Sequence, residues 1–182
     1  MPPLKVVITI ISLFLMTSTP YDIDFGASCA DCDWFVVLDG VMGGRSDGTV
    51  TETAESIIFK GSISLKNNGG FASYRRPYGS YNLSPFKEVH VRYKSTGQNF
   101  ALTLANYRRF YEPNFKASLP VTNGEWKEIV LPLSNFKKYR LGRLLSGTPS
   151  QEELTNVIRL GLISNDKRAS DFVIEIDYIR FK

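Results

Sequence analysis

The sharpest chemical groups in this 182-residue sequence are two cysteines and one histidine: Cys29, Cys32 and His90. A C-x-x-C pair serves redox chemistry when it opens a helix whose N-terminus lowers a thiol pKa. Here Asp31, Asp33 and Trp34 surround the pair, and those carboxylates act in the opposite direction. Cys29 and Cys32 therefore read as a structural or incidental pair, able to close a short disulfide loop in an oxidising compartment. A zinc site needs four ligands, and two cysteines with one histidine fall short, so no metal site and no cofactor are expected. His90 stands in Glu88–Lys94, where Val89, Val91 and Tyr93 alternate with Glu88, His90, Arg92 and Lys94. A strand of that parity turns His90 to a wet, charged face. No nucleophile-elbow pattern occurs, and only the fold can bring two carboxylates into a glycosidase pair. The expectation is a protein that is not an enzyme.

Two glycine-rich stretches are the next candidates. In Trp34–Ser46 (WFVVLDGVMGGRS) an apolar run meets the turn pair Asp39-Gly40, then Gly43-Gly44, with Arg45 at the edge of the loop. In Asn67-Asn68-Gly69-Gly70 asparagine and glycine again precede an apolar run, as in hairpin turns. Neither is a phosphate loop, because the Gly-Lys-Ser/Thr ending is missing. Asp39 is suited to accept hydrogen bonds from nearby backbone N–H groups, and the two stretches are expected side by side at one end of the fold. Candidate binding residues are Asp39, Met42, Gly43, Gly44, Arg45, Asn67, Asn68, Gly69 and Gly70, together with Arg143. The cations Lys137, Lys138, Arg140 and Arg143, and the pairs Arg75-Arg76 and Arg108-Arg109, read as solvated surface. They would favour an acidic protein or an anionic membrane surface. Nucleic acid is not expected, since no platform of stacking aromatics interleaves with them.

The elements that must position these residues are strands. Hydrophobic residues make up 43% and charged residues 22%, an ordinary globular balance, and the formal net charge is +4. Short runs such as Phe100–Leu104, Ile129–Leu131 and Val157–Ile163 are divided by Gly, Pro, Asn and Asp, without helical periodicity. In the last run Phe172, Ile174 and Ile176 share one parity and Ile179 and Phe181 the other, which predicts a bulge near Tyr178. Ser150 and Glu153 form a capping-box pattern for one brief helical turn. The fold class is therefore all-β, a jelly-roll β-sandwich with short connecting helical turns. At the N-terminus, Lys5 precedes an apolar run of about 11 residues, the length of a signal-peptide core and too short to span a bilayer as a helix. Residues 1–20 read as a leader and 21–182 as a single domain. The location expected is periplasmic or extracellular, the alternative being a membrane anchor formed by the uncleaved segment.

The series W-x4-DGVMGGRS, Phe59-Lys60-Gly61 and Asn67-Asn68-Gly69-Gly70-Phe71-Ala72-Ser73 resembles the complex I intermediate-associated protein 30 family. Trp126, Leu131-Pro132-Leu133, Phe136, Gly142-Arg143 and the run from Phe172 to Ile179 are similar to the later strands of that family. The resemblance extends from about Ile23 to Lys182. It implies a galactose-binding-like jelly roll and, for mitochondrial members, a chaperone-type role in assembling respiratory complex I. The partner it implies is a protein client, of which a respiratory-complex subunit is one example, and it implies no known active site. The leader departs from matrix-side assembly and leaves the client open, and Arg140-Leu141-Gly142-Arg143 only approximates the family's Arg-Gly-Arg pattern. The alternative function is an exported carbohydrate-binding module, since folds of this class hold sugars on aromatic platforms; Tyr74, Tyr78, Tyr81, Tyr107 and Tyr111 are its candidates. N-terminal sequencing of native protein checks the leader: the mature chain should begin between Ser18 and Asp24, and an intact Met1 on cytosolic material would overturn export.

Overall fold

Runs of alternating parity, punctuated by turn residues, become antiparallel strands from Tyr21 to the C-terminus. The computed structural model describes residues 19–26 and 33–182, so Cys29, Cys32 and most of the leader lie outside the described residues. In chain order the first strands are β1 (Tyr21–Asp24), β2 (Phe35–Leu38), β3 (Asp47–Glu52), β4 (Ile57–Ile63), β5 (Ala72–Arg75), β6 (Glu88–Thr96) and β7 (Phe100–Ala105). There follow β8 (Asn114–Leu119), β9 (Lys127–Pro132), β10 (Lys137–Arg140), β11 (Arg143–Leu144), the helix α1 (Gln151–Thr155), β12 (Arg159–Ser164) and β13 (Ser170–Phe181). Two sheets form a sandwich of jelly-roll type. The first runs β3-β4-β13-β6-β9, with β1 paired to the C-terminal half of β13, and the second runs β11-β10-β8-β7-β12-β5-β2.

The parity read from sequence decides which side chains enter the core. Val89, Val91 and Tyr93 of β6 and Phe100, Leu102 and Leu104 of β7 are all buried. Phe59 of the first sheet sits at the centre, its ring 5.0 Å from Phe172, 5.9 Å from Tyr74 and 6.1 Å from Phe100. Phe59 and Phe172 come from one sheet and Tyr74 and Phe100 from the other, so this aromatic cluster ties the layers together. Along β13 the register with β6 shifts between Ile176 and Tyr178, and Phe172, Ile174, Ile176, Ile179 and Phe181 are all buried. The bulge keeps both halves of a twelve-residue strand facing one core. At α1, Ser150 Oγ accepts from the Glu153 amide at 3.1 Å while the Glu153 carboxylate accepts from the Ser150 amide at 2.9 Å. That capping box satisfies the start of the helix.

One expectation is corrected. The Asn67–Gly70 stretch is not a hairpin turn, because β4 belongs to the first sheet and β5 to the second. Asn67 and Asn68 do adopt left-handed conformations, with φ of 56° and 59°. Hairpin turns use the same backbone, so the dipeptide signature does not distinguish a hairpin from a crossover between layers. The β2–β3 connection is a crossover of the same kind.

Truncating the central ring should leave a cavity that neither sheet can close. Phe59→Ala is expected to cost about 3–5 kcal/mol in a urea-unfolding measurement, and a loss below about 1 kcal/mol would show that the cluster does not couple the sheets.

Candidate functional site

The chain leaves β2 at Leu38 and turns through a 3-10 segment, Asp39–Met42, toward β3. Asp39 is fully buried. Its carboxylate accepts from the Ser46 amide at 3.0 Å and the Ser46 hydroxyl at 2.5 Å, and from the Gly70 and Phe71 amides at 2.6 and 3.3 Å. One side chain thus joins the β2–β3 and β4–β5 crossovers. Burial pushes the Asp39 carboxyl up, but the hydrogen bonds from Ser46 and from the amides of Gly70, Ser46 and Phe71 outweigh it and hold the group below its ordinary value. The glycines follow from this packing. A Cβ on Gly44 would lie 2.3 Å from the Asp39 carboxyl, and one on Gly69 would lie 2.6 Å from its Oδ2. Gly43 ends the 3-10 segment at φ 87°, and its carbonyl accepts from Asn67 Nδ2 at 3.1 Å.

The structure therefore brings Asp39, Gly43, Gly44, Asn67, Asn68, Gly69 and Gly70 into one corner, with Met42 and Arg45 exposed beside it. Arg143 is not part of it. It lies in β11, at the opposite edge of the second sheet from β2. The polar atoms at the heart of the corner are engaged with one another, which makes it a structural staple with an exposed rim.

The outward faces of the two sheets differ in electrostatics. On the first sheet, Lys94 pairs with Glu175 at 2.8 Å, Arg180 with Asp22 at 2.7 Å and Arg92 with Asp177. His90 lies between Glu88 at 2.9 Å and Glu128 at 2.8 Å, on the wet face that its parity predicts. The Tyr178 hydroxyl and His90 hydrogen-bond to Glu128 and hold that carboxyl below its ordinary value. A hollow of about 430 Å³ on this face is lined by Trp126, Arg92, Lys94, Glu175 and Asp177, but its cations are already paired and rest on the Trp126 ring.

The outward face of the second sheet is arranged otherwise. Register places Phe35, Arg75, Gly161, Thr103, Lys116 and Lys137 in one row across β2, β5, β12, β7, β8 and β10. A second row holds Arg159, Ala105, Asn114 and Tyr139. Small residues thus floor the middle, while rings and cations stand on both sides. A floor of small residues between longer side chains makes the face a trough, and the outward-facing Ala101 and Ser73 next to it are covered by their neighbours, at 0% and 1% exposed, with Arg75 Nε donating to the Ser73 hydroxyl at 2.9 Å. Arg159 stacks 3.4 Å from the Tyr78 ring, Arg108 covers the same ring at 4.5 Å, and Lys116 lies 5.3 Å from the Tyr139 ring. Among the described residues no carboxylate pairs with Arg75, Lys116 or Arg159. Burial and the neighbouring charge of Arg159 lower the pKa of Arg75; burial and the charges of Lys167 and Arg75 lower that of Lys116. The Nε of Arg159 and the Oδ1 of Asn114 are shielded from solvent and have no hydrogen-bond partner among the described residues.

The sequence profile described as Complex I intermediate-associated protein 30 matches residues 23–176. This chain belongs to that family. No curated protein sequence matches it. Among solved structures it is similar to the family 11 carbohydrate-binding module of the cellulosomal cellulase Lic26A-Cel5E of Clostridium thermocellum, at 15% identity and TM-score 0.64, over 90% of this chain and 95% of that one. A family 11 module from Clostridium thermocellum in complex with a beta-1,3-1,4-mixed-linked tetrasaccharide is similar at 16% identity and TM-score 0.62, over 91% and 96%. A mutant of the family 29 carbohydrate-binding module CBM29-2 follows at 12% identity and TM-score 0.53, over 90% and 91%. At such identities the likeness is one of fold, the jelly-roll sandwich.

Within this member of the complex I intermediate-associated protein 30 family, the tyrosines singled out from sequence separate by place. Tyr74 is buried in the core and Tyr81 packs against it, whereas Tyr78, Tyr107 and Tyr111 reach the surface. Sequence reasoning missed Phe35, Lys116, Tyr139 and Arg159. Strand parity could have turned each outward, but nothing local says that β2, β8, β10 and β12 share a sheet.

Acid should loosen the corner. Because the folded Asp39 carboxyl lies below its unfolded value near 3.9, its contribution is complete above that value and is lost as pH falls through the folded value. Asp39→Asn should therefore lower the melting temperature at pH 7 and flatten the stability profile of the wild type below about pH 4. Arg45→Ala, at the exposed rim, should leave the melting temperature unchanged.

Proposed function

We propose that this protein is an exported, non-catalytic binding domain that holds a carbohydrate chain in the outward trough of its second sheet. The observation that carries this reading is the trough itself. It is floored by Gly161, Thr103 and Ala105, walled by Phe35, Tyr78 and Tyr139, and supplied with hydrogen-bonding groups from Arg75, Asn114, Lys116 and Arg159. Apolar ring faces beside fixed polar groups suit a sugar, whose own faces alternate in the same way. The fold shared with carbohydrate-binding modules supports the reading by analogy. The apolar run after Lys5 supports export, where polysaccharides are met.

A second reading has its own observation. At the Asp39 corner, Val41, Met42 and Leu65 are 76%, 57% and 48% exposed, with Arg45 beside them. Such an apolar tip suits a protein client, as the family's description suggests.

Affinity electrophoresis of the full chain through gels containing soluble polysaccharides separates the two. Retardation by at least one polysaccharide is expected, and Tyr78→Ala should weaken it about tenfold, or about 1.4 kcal/mol, while Met42→Ser leaves it unchanged. No retardation by any polysaccharide would overturn the carbohydrate reading. Protein capture from the native host that is lost in Met42→Ser would establish the second.

A further inference from the structure

We propose that the trough of the second sheet selects a polysaccharide bearing carboxylate or sulfate groups, read by Arg75, Arg159 and Lys116. This deepens the carbohydrate reading above and rests on it. The two faces meet their charges differently. On the first sheet Arg92, Lys94 and Arg180 each have a carboxylate partner. On the second, Arg75, Lys116 and Arg159 are half-buried, repel one another and pair with no carboxylate among the described residues. Like charges partly withdrawn from water are costly together unless an anion joins them, and a bound ligand is the counter-charge this face can receive.

The spacing identifies the kind of anion. Arg75 on β5 and Lys116 on β8 are three strand steps apart in one row, with Gly161 and Thr103 between them. At about 4.8 Å per step the two positions are separated by about 14 Å, farther than one sulfate or phosphate reaches. Arg159 lies two residues from Gly161 on the same strand and the same face. The cations therefore stand on both sides of a floor of small residues, which fits an extended chain carrying repeated charges. A Cβ on Gly161 would come 3.1 Å from Thr103 Oγ1 and 3.3 Å from Arg75 Cγ, so glycine there makes room for the Arg75 side chain to lie along the floor. Stacking occupies the face of the Arg159 guanidinium and leaves its edge, through which arginine donates paired N–H bonds to two oxygens of a carboxylate or sulfate. Phe35, Tyr78 and Tyr139 supply the apolar faces that a bare polyanion would not need.

The test is isothermal titration of the full chain with alginate (carboxylate), dextran sulfate (sulfate), mixed-linked β-glucan and dextran (neutral), and polyglutamate (a polyanion without sugar). At least one charged polysaccharide should bind ten times or more tighter than either neutral polymer and than polyglutamate. The alginate and dextran sulfate arms decide which anion is read. Arg159→Gln and Lys116→Gln should each weaken that binding at least tenfold, with unchanged melting temperature. If Arg159→Gln fails to fold, Lys116→Gln near the far wall carries the test. Equal binding of neutral and charged polysaccharides would overturn this inference and keep the carbohydrate reading, whereas binding to none would overturn both. Binding of polyglutamate as tight as that of the charged polysaccharides, or binding insensitive to both variants, would also overturn it.

Discussion

A buried carboxylate, that of Asp39, joins two of the places where the chain passes between layers, the β2–β3 and β4–β5 connections. Its acceptors take the Ser46 hydroxyl and amide on one crossover and the Gly70 and Phe71 amides on the other. A buried charge is tolerable when hydrogen bonds replace its hydration, and four donors do so here. Everything near it is subordinate to that requirement. Gly44 and Gly69 are glycines because the carboxylate occupies the space a side chain would use, and Asn67 and Asn68 accept left-handed backbone so that the amides of the second crossover can turn toward it. The family's most recognisable sequence pattern is thus explained chiefly as architecture.

With that corner in place the two sheets close over one aromatic core, and each is left with one wet face. Those faces were given different electrostatics. One resolves its charges internally, with carboxylates from β1, β6, β9 and β13 answering its cations and its histidine. The other gathers arginines and lysines over a floor of Gly, Ala and Thr and stacks them on tyrosines instead of pairing them with acids. The first arrangement contributes to the protein's own surface stability, and it does so modestly because such pairs are largely solvated. The second leaves its cations without carboxylate partners among the described residues, and on that feature the proposed binding rests.

Much of this was legible before any coordinates. Alternation in Glu88–Lys94 put Val89, Val91 and Tyr93 inside and His90 outside, the parity shift near Tyr178 marked the bulge, and Ser150 with Glu153 marked the capped turn. Each of these is a local rule acting over a few residues. The Asn-Gly stretch shows the limit of such rules: Asn67 and Asn68 take left-handed backbone while Gly69 is extended, and whether such a turn serves a hairpin or a crossover depends on which sheet each flanking strand joins. Arg143 shows it again, since its neighbours in sequence resemble a family motif while its neighbours in space are at the far edge from Asp39.

By itself the sequence determined the strand-and-turn class, many residues of the core, the family resemblance, and the turns at the two glycine-rich stretches, because parity and turn chemistry are written over short spans. Only the tertiary structure decided that Arg75, Lys116 and Arg159 share one trough. Those residues come from β5, β8 and β12, and what aligns them is the order β8-β7-β12-β5. That order is settled by the packing of whole faces across the core, a non-local competition that no single stretch of chain encodes.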